Sequence, residues 1–147
     1  MQQLDALPST DAVGDWLRRT ATGAGLKGLD RINRRAVAAR IRQTGITALT
    51  LDGDASQTVA EKGSAHFTYQ GEQGYMPMIG HLAETGVVIY DEFWVGNITP
   101  ATKNLEFTRA CEARLPKGYR IVHVRLDSVG SQAELFNLLA PDSAGRA

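Results

Sequence analysis

The feature that most constrains this fold is an apolar strand that runs into two aspartates, within residues 46–56, ITALTLDGDAS. Ile46 and Ala48 alternate with threonines, and this pattern of β-branched and apolar residues is typical of a β-strand. Acids are depleted in strands and are rarely buried unless they are paired or bound to a metal. The segment that contains Asp52 and Asp54 is therefore either a solvated turn that closes the strand or a strand end that presents a carboxylate to a divalent cation.

The length of 147 residues suits one globular domain with a core, and 43% of the residues are hydrophobic and 22% charged, as in ordinary soluble proteins. No apolar run reaches the roughly 18 residues that a membrane span needs, and the chain does not open with a signal peptide. We therefore expect a cytoplasmic protein with no membrane partner. Cys111 is the single cysteine, so a disulfide framework within the chain is excluded, and we expect it to be a small core residue of a helix.

The formal net charge is zero, but the charges are unevenly distributed along the chain. Residues 1–45 hold eight Lys or Arg against four Asp or Glu, residues 46–100 hold one against seven, and residues 101–147 hold seven against five. A protein that only coats DNA would not concentrate acids in its centre, because phosphate is repelled there. A protein that holds cations between its own acids and a phosphate would do so.

The first 45 residues predict two short helices. Ser9 or Thr10 is a suitable N-cap, and the following apolar residues are spaced to lie on one side of a helix. The segment 22–28, TGAGLKG, matches the dinucleotide pattern G-x-G-x-x-G, but that motif must leave a strand to bind a phosphate, and here it follows a helix. We interpret this segment as a flexible connector.

The second predicted helix, residues 29–44, carries several arginines. Arg31, Arg34 and Arg35 lie mostly off its apolar face. They form either an ordinary solvated helix face or a surface that contacts DNA phosphates, and the sequence does not decide between these two interpretations.

The order of the remaining predicted elements indicates a mixed α/β fold. After a polar, glycine-containing segment at 57–73, residues 75–82 and 86–95 are predicted to form two strands of an antiparallel meander, joined by a hairpin-like connection. A helix is predicted from Pro100 to about Leu115, a fourth strand over 119–126 and a last helix from the capping box at 131–134 to Leu139. We therefore predict a basic N-terminal helical segment (1–45), a core (46–140) and a frayed tail (141–147).

The first and fourth predicted strands each end at an acid. If these strands lie parallel and adjacent, Asp54 and Asp127 reach the same end of the sheet, where two like charges are unfavourable without a cation between them. Mg2+ or Mn2+ suits carboxylate oxygen, and two such ions about 4 Å apart promote displacement at phosphorus. The predicted chemistry is phosphodiester hydrolysis or transfer. His66, His81 and His123 lack the spacing of a metal site and are interpreted as strand or loop residues.

Several blocks of the chain also resemble the bacterial insertion-sequence transposases of the DDE type. The segment LDGDAS at 51–56 resembles their L-D-x-D-A-T segment, and GYMPMIGH at 74–81 resembles their G-Y-x-P-x block. The segment RLDS at 125–128 has their R-x-D-S pattern, and DEF at 91–93 and residues 104–114 continue the match in order.

This resemblance implies an RNase H-like catalytic core that cuts double-stranded DNA at transposon ends and joins the ends to a target, using Mg2+ and three acids. It matches Asp54 to the first catalytic, metal-binding acid and Asp127 to the second, and it leaves Asp52 to form a local hydrogen bond. The third acid and most of the N-terminal DNA-recognition region have no counterpart in the 147 residues. We therefore expect a transposase fragment with little activity alone, although the intact family members are expected to self-associate.

Two other functions remain open at this point. A small independent nuclease of the same fold would need Glu92 or Glu134 as its further acid. A non-enzymatic remnant would bind DNA through the arginine helix alone.

Overall fold

The protein has a mixed α/β fold, seen in a computed structural model that describes residues 7–98 and 103–126. The chain divides into two compact units, Met1–Ala36 and Val37–Ala147. None of the helices in the described ranges is long and apolar enough to cross a membrane.

Two helices occupy the N-terminal part of the chain: α1 (Thr10–Thr20) and α2 (Gly23–Arg42). The side chain of Ser9 caps α1 by accepting a hydrogen bond from the amide of Ala12 at 3.2 Å, as the sequence predicts. No residue of α1 is buried, whereas Val37 and Ile41 near the end of α2 belong to the core of the second unit. The division between the two units therefore lies within α2.

The described part of the second unit contains seven strands and one further helix, α3 (Asn104–Glu112). Four strands form the main sheet in the order β6-β5-β1-β7, and three short strands form a second sheet in the order β2-β4-β3. The strands are β1 (Ala48–Ala55), β2 (Thr58–Val59), β3 (His66–Phe67), β4 (Gln73–Tyr75), β5 (Met78–Leu82), β6 (Val87–Glu92) and β7 (Arg120–Leu126).

The main sheet confirms the predicted topology of its four strands. Strand β1 pairs antiparallel with β5, β5 pairs antiparallel with β6, and β7 returns parallel to β1 on its other side. Helix α3 connects β6 to β7, as a parallel return requires a crossover. The hairpin between β5 and β6 closes at Gly86, whose φ of 67° is readily adopted by glycine, and the amide of Gly86 donates to the carbonyl of Leu82 at 2.7 Å.

One face of the main sheet carries the hydrophobic core. Leu49, Leu51 and Gly53 of β1 are buried on this face, where the side chain of Phe107 from α3 is also fully buried. Helix α3 approaches closely at Gly80, because a Cβ there would lie 2.9 Å from the sulfur of Cys111. Cys111 is itself fully buried, as predicted, and burial raises the pKa of its thiol to about 12.

Several predictions of local structure are wrong. The alternation that predicts β1 begins too early, since Ile46 and Ala48 are exposed and the buried apolar residues of the strand are Leu49 and Leu51. The supposed connector 22–28 is largely helical, because the hydroxyl of Thr22 caps the first turn of α2 by accepting from the amide of Gly25 at 3.3 Å.

The polar segment 57–73, for which the sequence predicts no element, contains β2 and β3 and the first residue of β4. The predicted strand 75–82 is interrupted after Tyr75, because the amide of Met76 turns to donate to the carbonyl of Trp94 at 2.9 Å. Trp94 is 2% exposed and packs edge-on against Phe107, so it is a core residue. The predicted last helix and the tail lie outside the described residues.

Candidate functional site

The candidate site is the part of the main sheet where β1 approaches its C-terminal end beside β7. The two strands pair in parallel as far as β7 is described, with Asp52 opposite Arg125 and Gly53 opposite Leu126. Leu126 is the last described residue of β7, so Asp127, the second predicted acid, lies outside the described residues. The residues that follow this final pair in the sequence are Asp54 and Asp127.

Asp54 lies at this rim with its side chain on the face of the sheet opposite the core. It is exposed, in alternation with the buried Leu51 and Gly53 positions of the same strand. Its carboxylate accepts one recorded hydrogen bond, from the hydroxyl of Ser56 at 3.1 Å. A carboxylate so placed keeps oxygen lone pairs available for a hard cation.

Asp52 lies on the same face of the sheet but has a different environment. Both of its oxygens accept hydrogen bonds from the guanidinium of Arg125, and Nε2 of His81 lies 3.4 Å from one of them. Hydrogen bonding to Arg125 is the largest cause that holds the pKa of Asp52 below its ordinary value, and the opposing cost of burial is smaller. The expected local hydrogen bond of Asp52 is therefore a contact between strands that are far apart in the sequence.

The pairing of Asp52 with Arg125 gives the two aspartates of residues 51–56 different chemical environments. The charge of Asp52 is already balanced by the guanidinium to which both of its oxygens are bonded, whereas Asp54 has no such cationic partner among the described residues, so Asp54 is the residue of this pair better suited to a cation. No local sequence pattern indicates this partner, since Arg125 is 73 residues away in the chain. The alternation of β7, which puts Arg125 and His123 on the face away from the core, was predicted and is confirmed.

The described residues do not complete a metal site. Within residues 7–98 and 103–126 there is no group of three His, Cys, Asp or Glu side chains that could hold a metal ion. Glu92, the further acid required by the independent nuclease, pairs across β5 with Met78, which in turn pairs with Ala55 of β1. Two strand spacings of about 4.8 Å separate such positions, which is too far for Glu92 and Asp54 to be neighbours. Glu134 lies outside the described residues.

The arginines predicted to contact DNA lie on α2. Arg31, Arg34 and Arg35 are all exposed. The guanidinium of Arg34 is paired with Asp30, four residues earlier on the helix, at 2.8 Å. Arg31 and Arg35 are one helical turn apart, so the two cations lie along the same side of α2.

Comparisons of the chain with protein-family models, with curated proteins and with solved structures found no match.

Proposed function

We propose that this chain forms part of the metal-dependent catalytic core of a DDE-type DNA transposase with an RNase H-like fold. The observation that carries the proposal is the parallel pairing of β1 with β7 up to Gly53 and Leu126. The sequence continues from these two residues to Asp54 and Asp127. An acid after each of two adjacent parallel strands is the arrangement that two-carboxylate metal chemistry needs.

Asp54 and Asp127 would hold the metal, Mg2+ or Mn2+. The bound ions would activate the attacking oxygen and stabilise the leaving oxygen of a displacement at a DNA phosphate. Asp54 is suited to this role by its exposure and by its single recorded partner, Ser56. Asp52 is less suited, because both of its oxygens already accept hydrogen bonds from the cationic guanidinium of Arg125.

The acidic middle of the chain supports the same proposal. Seven acids against one lysine in residues 46–100 would repel a DNA backbone in the absence of cations. Divalent ions at the rim would reverse that repulsion locally. The proposed substrate is therefore double-stranded DNA that binds better with divalent metal than without it.

A metal-dependent DNA-binding titration tests this proposal. We expect the affinity for a short DNA duplex to rise on addition of Mn2+ and to lose that dependence in Asp54→Asn, whereas Asp91→Asn should retain it. Asp91 is a matched control, since it is an exposed acid on β6, two strands away from Asp54 in the same row of the sheet. Equal metal dependence in both variants would reject the proposal. Cleavage by the chain alone is expected to be low, because only two of the family's three acids have counterparts in it.

A non-enzymatic DNA-binding protein is the second candidate, favoured by the exposure of Arg31 and Arg35 one turn apart on α2. In this case the affinity would fall steeply with salt in the absence of metal. The double variant Arg31→Gln/Arg35→Gln should weaken binding and flatten the salt dependence, while Asp54→Asn should have no effect. Binding that is independent of salt would exclude this candidate.

A further inference from the structure

The ion pair between Asp52 and Arg125 joins two strands that are neighbours in the main sheet but far apart in the sequence. It lies one residue before the last described pair of β1 and β7, at the rim that carries Asp54. We propose that this pair is a positioning clasp, which fixes the register of β7 against β1 and so sets where the acids at the rim are placed. The inference rests on the proposed function, because it assigns a role around the same metal site.

The register of β7 depends on a single neighbour. Strand β7 is one of the two edge strands of the main sheet, and among the described strands it pairs with β1 alone. The pairing is irregular between Leu49 and Thr50, where β7 contributes an extra residue, Val122, before the register resumes at His123. A slip of one residue would turn every later side chain of β7 to the opposite face of the sheet. A slip would also break the pairing of Arg125 with Asp52 and of Leu126 with Gly53.

The clasp acts on both faces of the sheet. On the outer face, Arg125 donates two hydrogen bonds to Asp52, and a guanidinium in this geometry fixes both distance and direction. On the core face, Leu126 lies over Gly53 so closely that a Cβ there would be 2.4 Å from the end of the leucine side chain. Two consecutive residue pairs are thus held on opposite sides. His81 extends the row to β5 through its 3.4 Å contact with Asp52.

Asp52 and Arg125 are positioning residues and not metal ligands in this scheme. The distinction can be tested by whether one substitution, Arg125→Gln, raises or lowers the affinity for a cation. Removing the positive charge of Arg125 should strengthen cation binding nearby if charge alone matters. The clasp predicts the opposite result, because Arg125→Gln would leave the acids of the rim poorly aligned.

The experiment uses NMR on the full chain. Mn2+ affinity is measured from the line broadening of amides near residue 54, and the register of β7 is followed by hydrogen exchange of the amides of residues 123–126. For Arg125→Gln we expect Mn2+ binding to be about 10-fold weaker, as for partners that orient metal ligands, together with faster exchange in β7. The charge-exchanged variant Asp52→Arg/Arg125→Asp should restore protection. The matched control is Arg120→Gln, which removes an exposed arginine from the start of the same strand.

The outcomes separate the clasp from the proposed function. If hydrogen exchange of the β7 amides is unchanged in Arg125→Gln, the clasp is overturned, whatever the change in Mn2+ affinity. Unchanged or tighter Mn2+ binding in Arg125→Gln, with binding still abolished by Asp54→Asn, overturns its positioning role while the proposed function stands. If the broadening of wild-type signals does not depend on Asp54, the proposed function fails, and the positioning role fails with it.

Discussion

The two faces of the main sheet are built from the same strands but do different work. On the core face, Leu49 and Leu51 of β1 are fully buried, and Phe107 and Cys111 of α3 are buried to the same degree. On the outer face, the same strand carries Asp52 and Asp54, half-buried and exposed respectively. Because side chains alternate along β1, core residues and carboxylates occupy neighbouring positions of one strand but lie on opposite faces of the sheet.

The comparison teaches that the residues of the proposed site contribute less to the free energy of unfolding than the core residues do. Core packing is worth several kcal/mol per large side chain, whereas an ion pair that is open to solvent is worth about 1 kcal/mol or less. Substitutions on the two faces should therefore separate stability from metal binding.

The largest loss of stability is expected from Phe107→Ala. Phe107 is fully buried and contacts the rings of both Tyr90 and Trp94, so truncation leaves a cavity beneath the sheet. We expect the free energy of unfolding in urea to fall by about 3–5 kcal/mol. Phe93→Ala is the matched control, since Phe93 is 65% exposed. Similar losses for both variants would contradict the assignment of the core to one face.

A smaller loss is expected from Gly80→Ala. The added Cβ would lie 2.9 Å from the sulfur of Cys111, 3.1 Å from the ring of Phe107 and 3.2 Å from Leu51, all of which are fully buried. Overpacking of this kind costs about 1–3 kcal/mol, which thermal and urea unfolding can measure. Gly28→Ala in α2 is the control, because nothing lies within 4 Å of a Cβ there. It should be neutral or slightly stabilising.

The next effect in size is the dependence of stability on pH at Asp52. Arg125 lowers the pKa of Asp52 in the folded protein, so the pair stabilises the fold above the ordinary value of 3.8. That contribution is lost as the pH falls through the folded-state pKa. Asp52→Asn should be less stable than the wild type at neutral pH, by less than Gly80→Ala. The difference in urea unfolding should shrink as the pH falls below 3.8, and a difference that grows in acid would contradict the assignment.

The smallest effect is expected from Asp91→Asn on the outer face of β6. Asp91 is exposed and lies opposite Ile79, which is itself 38% exposed. Surface substitutions away from caps, cores and ion-pair networks change stability by about 0.5 kcal/mol or less. A larger change in the free energy of unfolding in urea would show that side chains on the outer face also stabilise the fold.

The topology of the main sheet could be predicted because each of its strands has a clear apolar pattern and a recognisable stop. The parallel return of β7 followed from one helix between β6 and β7. The small sheet could not be predicted, because β2 and β3 are two residues long and their residues are mostly exposed. The small sheet depends instead on a close approach of β2 to β4, since a Cβ at Gly74 would lie 2.2 Å from the carbonyl oxygen of Thr58.

The candidate site was predictable only in part. The placement of Asp54 near the end of β1 follows from the apolar alternation of the strand and from the acids that close it. The different role of Asp52 depends on a partner 73 residues away, which becomes a neighbour only once the register of β7 is set. Burial of Trp94 likewise depends on Phe107, a contact between a strand end and a helix that no local pattern specifies.

The most direct test of the central claim is a disulfide cross-link between positions 54 and 127. In a Cys111→Ser background, Asp54→Cys/Asp127→Cys should form an intramolecular disulfide under mild oxidation. The account predicts that the parallel register of Gly53 with Leu126 continues by one residue, which would bring the two sulfurs within bonding reach. The control Asp91→Cys/Asp127→Cys, which starts from the far edge of the sheet, should not. No cross-link at 54 and 127, or equal cross-linking in both proteins, would contradict the account.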